Sequence, residues 1–161
     1  MSELTLRPAT PDDRDFLLDV YASTRASELA LMPWDDAAKR AFVEHQFHAQ
    51  DVHYRRHYEG ATFDVVEVAG EPAGRLYVLR GARDIRIMDI ALLEAFRGRG
   101  IGTALLRPLL DEARADRRSV SIHVEVTNPA RALYERLGFE AVEDHGAHLL
   151  MAWTATALME A

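Results

Sequence analysis

A glycine- and arginine-rich run at residues 97–102 lies between the apolar segment 85–93 and the leucine-rich segment 103–113. The apolar segment predicts a strand and the leucine-rich segment predicts a helix, so the run forms the turn that joins them. The first N–H groups of a helix lack intrahelical partners and lie at the positive end of the helix dipole, so they favour an anion. Glycine lets a phosphate approach the backbone closely because it has no side chain. The run therefore predicts a phosphate-binding turn.

The spacing of the glycines decides which phosphate motif this is. Gly98, Gly100 and Gly102 occupy every second position, whereas the dinucleotide fingerprint G-x-G-x-x-G would need a glycine at Thr103. The Gly-Lys-Ser/Thr string of a Walker A loop does not occur in the sequence. Read from Arg97, the run is R-x-x-G-x-G, and it resembles the coenzyme A pyrophosphate motif of the GNAT superfamily of acyl-CoA-dependent N-acyltransferases. The alternative is a flexible turn that binds no ligand.

A second motif covers residues 128–139. Asn128 suits the N-cap of a short helix, Pro129 its first position and Gly138 the position just past its end. The segment resembles the N-x-x-A-x-x-x-Y-x-x-x-G-F signature that follows the fifth strand of GNAT proteins, although alanine occupies both 130 and 132 here. That resemblance implies that Tyr134 lies beside the coenzyme thiol and can act as a general acid. The alternative for Tyr134 is an aromatic packing residue.

The resemblance also implies how the coenzyme would bind. In GNAT proteins the fourth and fifth strands separate into a V-shaped gap that the pantetheine arm enters. Backbone groups of residues 90–93 would pair with the arm and polarise the acyl carbonyl, and the amides of residues 97–103 would hold the pyrophosphate. The coenzyme-binding residues implied by the resemblance are Ile90, Ala91, Leu92, Leu93, Arg97, Gly98, Arg99, Gly100, Ile101, Gly102, Thr103, Asn128, Arg131 and Tyr134.

Acyl transfer to an amine needs a base, because an ammonium must lose a proton before it can attack a thioester. Asp89 on the fourth predicted strand is the only acidic residue of an otherwise largely apolar run, and burial would raise its pKa. His123 and Glu125 share one face of the fifth predicted strand and are the other candidates. The alternatives are an ion-pair or hydrogen-bonding role for Asp89 and a solvated strand face for His123 and Glu125.

We therefore predict an N-acetyltransferase that moves an acetyl group from acetyl-CoA to a primary amine by direct attack in a ternary complex. The expected acceptor is a small molecule. A protein or peptide amine is the alternative acceptor, and a non-catalytic acyl-CoA-binding domain is the alternative function. In the GNAT family that the sequence resembles, acceptor choice is usually set by the first two helices, their connecting loop and the final hairpin. Here that loop is apolar and aromatic at residues 31–34.

Histidines are frequent on the second predicted helix. His45 and His48, and His53 and His57, have helix spacings that could bind a metal. No acidic residue is placed among these histidines as a third ligand. We therefore predict that they form a solvated helix face or a wall of the acceptor pocket, and that there is no metal site.

Composition bounds the class of protein. The chain has 161 residues, 48% of them hydrophobic and 28% charged, which predicts one folded N-acetyltransferase domain over residues 1–161. It has no cysteine, which excludes disulfides and thiolate chemistry. The net charge of −7 argues against nucleic acid as a binding partner and mildly favours a cationic acceptor.

The sequence contains no recognisable signal for export or for membrane insertion. Residues 1–7 lack the pattern of a signal peptide, and no apolar stretch approaches the roughly 18 residues that cross a membrane. We therefore expect a soluble, cytoplasmic protein with no membrane partner. A homodimer is a candidate assembly, since dimers are common among proteins of this kind.

The elements that must position these residues follow from periodicity and from cap and turn residues. Their order predicts an α+β fold (α/β three-layer) with a GNAT-like, mostly antiparallel mixed sheet of six to seven strands, helices on both faces and a split between strands four and five. Residues 70–72 would turn the first hairpin, residues 27–34 would break the helices, and Pro108 would kink or locally weaken the third helix. The predicted strands are 3–7, 62–68, 73–79, 85–93, 120–126, 139–143 and 148–153, and the predicted helices are 10–24, 35–58, 101–115 and the Tyr134 helix.

Overall fold

The computed structural model describes residues 3–155. Its strands are β1 (Leu4–Pro8), β2 (Thr62–Val68), β3 (Glu71–Arg80), β4 (Asp84–Leu92), β5 (Ser119–Glu125), β6 (Glu140–Asp144) and β7 (His148–Trp153). Its helices are α1 (Arg14–Thr24), α2 (Ala26–Ala30), α3 (Asp36–His57), α4 (Ile101–Asp116) and α5 (Arg131–Arg136), with single 3-10 turns at Pro11–Asp13 and Glu94–Phe96. No helix within residues 3–155 is both long and apolar enough to span a membrane.

The strands form one seven-stranded sheet in the order β1-β2-β3-β4-β5-β7-β6. The pairs β1–β2, β5–β7 and β6–β7 are antiparallel, whereas β4 and β5 run parallel. The parallel pair follows from the connection, because α4 lies between the two strands and carries the chain back to the starting edge. The predicted mixed sheet with helices and a split at β4–β5 is confirmed.

The described residues divide into two compact units. Unit 1 comprises residues 3–77 and 90–97, and unit 2 comprises residues 78–89 and 98–155. The single domain predicted over residues 1–161 stays a prediction, and residues 1–2 and 156–161 of that span lie outside the described residues.

Unit 1 is built around α1, α3 and β2. Its core cluster consists of Leu17, Leu18, Tyr21, Val43, Phe47 and Val65. Helix α3 begins where predicted, because the Asp35 carboxylate accepts a hydrogen bond from the Ala38 N–H at 2.8 Å. The predicted break at residues 27–34 is wrong in its first part, because α2 occupies Ala26–Ala30. A five-residue helix is too short to show a clear apolar period.

The β2–β3 turn differs from the prediction. Ala69 and Gly70 have φ values of 53° and 80°, which is the left-handed pair of a two-residue type I′ hairpin turn. Glu71 and Pro72, predicted as part of the connection, are the first residues of β3.

Unit 2 buries one face of β5 and β7 together with the apolar stripe of α4. The predicted stripe of Ile101, Leu105, Leu109 and Ala113 is buried. Helix α4 continues through Pro108 to Asp116.

Helix α5 begins later than predicted. The Asn128 side chain accepts a hydrogen bond from the Ala130 N–H at 2.9 Å, so it closes a turn before the helix instead of capping it. The first helical residue is Arg131. The predicted end is confirmed, because Gly138 adopts φ 103° just past the helix.

Candidate active site

The turn that leads into α4 is open. Gly98 and Gly100 have φ values of 70° and 78°, and a Cβ added at either position would meet no heavy atom within 4 Å. Glycine is therefore favoured here by backbone conformation, and the space beside the turn is free for a ligand. The Ala104 N–H donates to the Gly100 carbonyl at 3.1 Å, so the amides of residues 101–103 have no partner within the helix.

The charge around this helix start suits an anion. The first turn of α4 contains no acidic residue, and Arg97 and Arg99 precede it in the chain. Gly102 has a different role from the other two glycines, because a Cβ there would lie 3.0 Å from the Leu133 Cδ2 atom of α5. Its missing side chain lets α4 and α5 pack closely.

Arg97 forms hydrogen bonds with other residues of unit 1. Its Nε donates to the Leu92 carbonyl at 2.9 Å, and its terminal nitrogen contacts the Ser23 hydroxyl at 3.4 Å. Its amide donates to the Glu94 carbonyl at 3.1 Å. Phosphate binding by the Arg97 amide would therefore require that bond to open, and the main-chain donors nearest to a ligand begin after it.

The end of β4 is held close to β3 in unit 1. The Leu93 N–H donates to the Ala73 carbonyl at 2.8 Å. A Cβ added at Gly74 would lie only 2.1 Å from the Ala91 carbonyl oxygen, so only glycine allows this approach. Gly74 was not among the predicted site residues, and an isolated glycine inside a predicted strand was the signal that could have found it. The half-buried residues 90–92 form the strand end whose backbone is predicted to meet the pantetheine arm.

Tyr134 is buried in unit 2, with 3% of its surface exposed. Burial, reinforced by the negative charge of Asp89, raises the pKa of Tyr134 to about 12. The phenol therefore stays protonated at neutral pH. Helix α5 ends in a Schellman motif in which the Gly138 N–H donates to the Glu135 carbonyl at 3.1 Å and the Phe139 N–H donates to the Tyr134 carbonyl at 3.0 Å.

The two other predicted coenzyme contacts near α5 have local partners. The Asn128 side chain closes the turn described above. The Arg131 Nε donates to the Glu135 carboxylate at 3.1 Å, and another Arg131 nitrogen reaches the Val126 carbonyl at 3.4 Å. Both side chains are exposed.

The β4–β5 pairing is short. It runs from Asp84 opposite Ser119 to Ile87 opposite Ile122 and covers four residue pairs. Met88 and Asp89 on β4, and residues 123–125 on β5, lie beyond the last pair within unit 2. The three predicted base candidates therefore all lie where the two strands no longer pair.

The faces of these strands separate the candidates. On β5 the buried apolar side chains are Val120, Ile122 and Val124, and Ser121, His123 and Glu125 alternate onto the other face. On β4, alternation places Asp89 with the buried Ile85 and Ile87. The Asp89 charge raises the pKa of Tyr134, whereas His123 and Glu125 lie on the face of β5 opposite to its buried apolar side chains.

His123 is surrounded by ionisable groups of unit 2. Burial lowers the pKa of His123, and the charges of Arg86, His145 and His148 lower it further against an opposing effect of Glu143. The His123 and His145 ring centroids are 6.3 Å apart. The His145 Nε2 lies 3.6 Å from a Glu143 carboxylate oxygen, and the His148 Nε2 lies 3.9 Å from a Glu125 carboxylate oxygen.

Sequence reasoning missed these hairpin residues as neighbours of His123. The antiparallel register supplies them, since it sets Leu150 opposite His123 and His148 opposite Glu125. The pairing between β6 and β7 then sets Glu143 opposite Leu150. A sequence can indicate two adjacent strands but not their register.

A buried cation in unit 1 was also missed. Arg75 on β3 is 2% exposed and donates to the Gln50 side-chain oxygen at 3.0 Å. Its guanidinium carbon lies 5.8 Å from the Tyr21 ring centroid and 5.0 Å from that of Tyr77. A charge within the apolar run 73–79 was the available signal.

The predicted acceptor loop and the histidine helix lie in unit 1. Leu31 is 87% exposed, and the Trp34 ring lies edge-on to Phe42 with centroids 5.3 Å apart. The His53 and His57 rings are 4.6 Å apart on α3. Across the part of the chain that the structure describes, no group of three or more His, Cys, Asp or Glu residues could hold a metal ion.

The sequence profile of the acetyltransferase (GNAT) family matches residues 25–139. Together with the split mixed sheet and the glycine turn before α4, this match defines the class of protein. The chain belongs to the GNAT acetyltransferase family, whose members use acetyl-CoA.

Particular relatives are similar over parts of the chain. Mycothiol acetyltransferase of Corynebacterium glutamicum (strain R) is 47% identical over 61 residues, which are 37% of this chain and 21% of that protein. An N-alpha-acetyltransferase of Sulfurisphaera tokodaii is 32% identical over 107 residues, which are 57% of this chain and 64% of that protein. The matched part thus spans about a fifth of the mycothiol acetyltransferase.

Solved structures share the fold over nearly the whole chain. PaiA N-acetyltransferase from Thermoplasma acidophilum, in complex with coenzyme A, matches with a TM-score of 0.71 at 12% identity, over 95% of this chain and 99% of that one. An acetyltransferase from Thermus thermophilus matches with a TM-score of 0.69 at 23% identity, over 94% and 97% of the two chains. Likeness at these identities establishes the fold alone.

Proposed function

We propose that this protein transfers the acetyl group of acetyl-CoA to a primary amine, by direct attack of the amine on the thioester. The observation that carries the proposal is the open turn at Gly98 and Gly100, which leads into the amides of residues 101–103 that have no partner within α4. Such a turn suits a diphosphate, because both the amides and the helix dipole favour negative charge. Membership of an acetyltransferase family supports acetyl-CoA as the acyl donor.

The coenzyme would use the main chain more than side chains. We expect its diphosphate on the turn of residues 97–103 and its pantetheine arm along the backbone of residues 90–93. Asn128 and Arg131 would contact it near α5. Because backbone amides hold the diphosphate, substitutions of the glycines should weaken coenzyme binding more than removal of either side chain.

Tyr134 is the proposed proton donor to the departing thiolate. Its raised pKa keeps the phenol protonated at neutral pH, as this role requires. Asp89, His123 and Glu125 are the candidate bases that take the ammonium proton. The chemistry needs no metal ion, since the amine is activated by loss of a proton and the thiolate is a good leaving group.

The proposed acceptor is a small-molecule primary amine. A protein or peptide amine is the second candidate, and the similarity to an N-alpha-acetyltransferase supports it. A domain that binds acyl-CoA without turnover is the third.

The experiment measures free thiol released from acetyl-CoA with a panel of small amines and with peptides bearing a free N-terminus. The wild-type protein should release thiol only when an amine is present. Tyr134→Phe should lower kcat about 100-fold with a much smaller change in KM for acetyl-CoA, because it removes the proton-donating hydroxyl and keeps the ring that would contact the coenzyme. Tyr77→Phe, which removes another buried phenol, is the matched control. Saturable coenzyme binding without thiol release from any amine would instead identify the non-catalytic domain.

Coenzyme binding is tested separately by titration. Gly100→Ala places a Cβ in the open space beside the turn at φ 78°, so it should weaken coenzyme A binding about tenfold or more. Gly60→Ala has the same backbone strain at φ 86° and equally open surroundings outside the turn, so it should bind as wild type does. Equal affinity of all three proteins would contradict a diphosphate site at this turn.

A further inference from the structure

The two faces of β5 differ in what they carry beyond its pairing with β4. His123 is the first β5 residue past the last parallel pair, Ile87 with Ile122. It is exposed, whereas its neighbours Ile122 and Val124 are buried on the other face. His123 thus lies at the point where the two strands part, on the face opposite to those buried side chains.

The last hairpin extends this face. Paired positions on neighbouring strands share a face, so His148 lies beside Glu125 and Glu143 lies in the row of His123. We call the surface formed by His123, Glu125, Glu143 and His148 the His123 face. The Glu125 and Glu143 side chains are 43% and 56% exposed, so a solute can reach both carboxylates.

The charged groups around His123 come from every strand packed beside it in unit 2. Arg86 of β4 donates to the Ser121 hydroxyl at 2.7 Å, and Asp84 accepts from the Ser119 hydroxyl at 2.6 Å. The hairpin adds Glu143, His145 and His148, and β5 itself adds Glu125. Although His123 is exposed, partial desolvation of its ring and the Arg86 charge lower its pKa, so the imidazole is neutral and able to accept a proton at neutral pH.

We propose that the His123 face receives a cationic primary amine and that His123, and not Asp89, is the base. This inference rests on the proposed acetyl transfer. It assigns the acceptor a chemical class: an amine that carries a second positive charge and no carboxylate. The exposed carboxylates of Glu125 and Glu143 would attract such a solute and repel an anionic one.

Each proton that moves in the transfer has a donor and an acceptor. His123 takes one proton from the ammonium, and the free amine attacks the thioester carbon to form the C–N bond. The C–S bond then breaks, and the thiolate takes the Tyr134 proton. A phenol with a pKa of about 12 is a weaker acid than a thiol, so this proton transfer is favourable only if the tyrosinate is reprotonated in the same step. The proton comes from the nitrogen of the new C–N bond, which keeps its extra proton until the neutral amide forms. The products are the amide, the free thiol and one proton that leaves His123 for solvent.

The first test is the pH profile of kcat/KM. The wild-type profile should rise with pH through one ionisation below the usual histidine pKa of about 6.5. His123→Gln should lower kcat about 100-fold and remove that limb, and Asp89→Asn should keep it. Retention of the limb in His123→Gln, or its loss in Asp89→Asn, would overturn the assignment of the base.

The second test uses three amines of one chain length: 1,4-diaminobutane, butylamine and 4-aminobutanoate. The wild type should favour the diamine over the amino acid at least tenfold in kcat/KM. The double variant Glu125→Gln with Glu143→Gln should reduce that preference several-fold. Asp111→Asn removes one exposed carboxylate on α4 and should leave the preference unchanged.

The outcomes separate the inference from the proposed function. If no amine or peptide releases thiol, the proposed function fails. If the three amines react equally well, or if the double variant keeps the full preference while its thermal unfolding midpoint matches that of the wild type, the inference alone fails.

Discussion

Gly138 lies against the indole of Trp153. A Cβ added at Gly138 would be 3.2 Å from the Trp153 Cδ1 atom and 3.4 Å from its Nε1 atom. Trp153 is 5% exposed in β7, so the indole has little room to move. This contact fixes the end of α5, the helix that carries Tyr134, against the sheet of unit 2.

Gly138→Ala should destabilise the protein by about 2–3 kcal/mol, because a left-handed residue costs about 1–2 kcal/mol and the Trp153 contact adds to it. The measurement is urea unfolding followed by circular dichroism. Gly146→Ala is the control, since Gly146 has φ 85° but open space around it. This variant should lose only the free energy that a left-handed alanine backbone costs. Equal losses would show that the indole contact contributes nothing.

Gly74→Ala should be among the most damaging glycine substitutions. Its Cβ would lie 2.1 Å from the Ala91 carbonyl oxygen, and a backbone atom cannot move aside as a side chain can. We expect a loss of about 3 kcal/mol or more in the free energy of unfolding. Gly60→Ala, strained in φ but uncrowded, should lose less. A Gly74→Ala protein as stable as the Gly60→Ala protein would contradict the close approach.

Ala69→Gly should stabilise the β2–β3 hairpin. Ala69 has φ 53°, and relief of a left-handed alanine, about 1–2 kcal/mol, exceeds the added entropy cost of glycine, about 0.5–1 kcal/mol. The unfolding free energy should therefore rise by up to about 1.5 kcal/mol. Ala141→Gly in β6, where φ is not positive, should lower it instead. A loss at both positions would argue against the type I′ turn.

Acid should weaken the Arg7–Asp13 contact. Hydrogen bonds from Arg7 lower the pKa of Asp13 to about 2, below its unfolded value of about 3.9. The carboxylate thus stabilises the fold fully above pH 4, and this contribution is lost as pH falls from about 4 to 2. Asp13→Asn should be less stable at pH 7 by about 1–2 kcal/mol. Its stability should also fall less than that of the wild type between pH 4 and 2, which unfolding curves across that range would reveal.

Several elements could be predicted to the residue because their signals are local. Strands β2 and β7 have the predicted bounds, and α3 starts after the Asp35 cap. The α5 start was misjudged because Asn128 followed by Pro129 fits a helix cap and a side-chain-closed turn equally well. Local sequence cannot choose between two structures that satisfy the same hydrogen-bonding group.

What the sequence determined by itself was the order of the elements and the glycine turn before α4, since strand and helix periods, caps and backbone conformations depend on neighbouring residues. Only the tertiary structure decided which groups lie near each ionisable side chain. Asp89 acts on Tyr134, whereas His123 lies with Glu143 of the last hairpin. These groupings depend on strand register, which joins residues far apart in the chain, and a shift of one residue would turn every side chain to the other face.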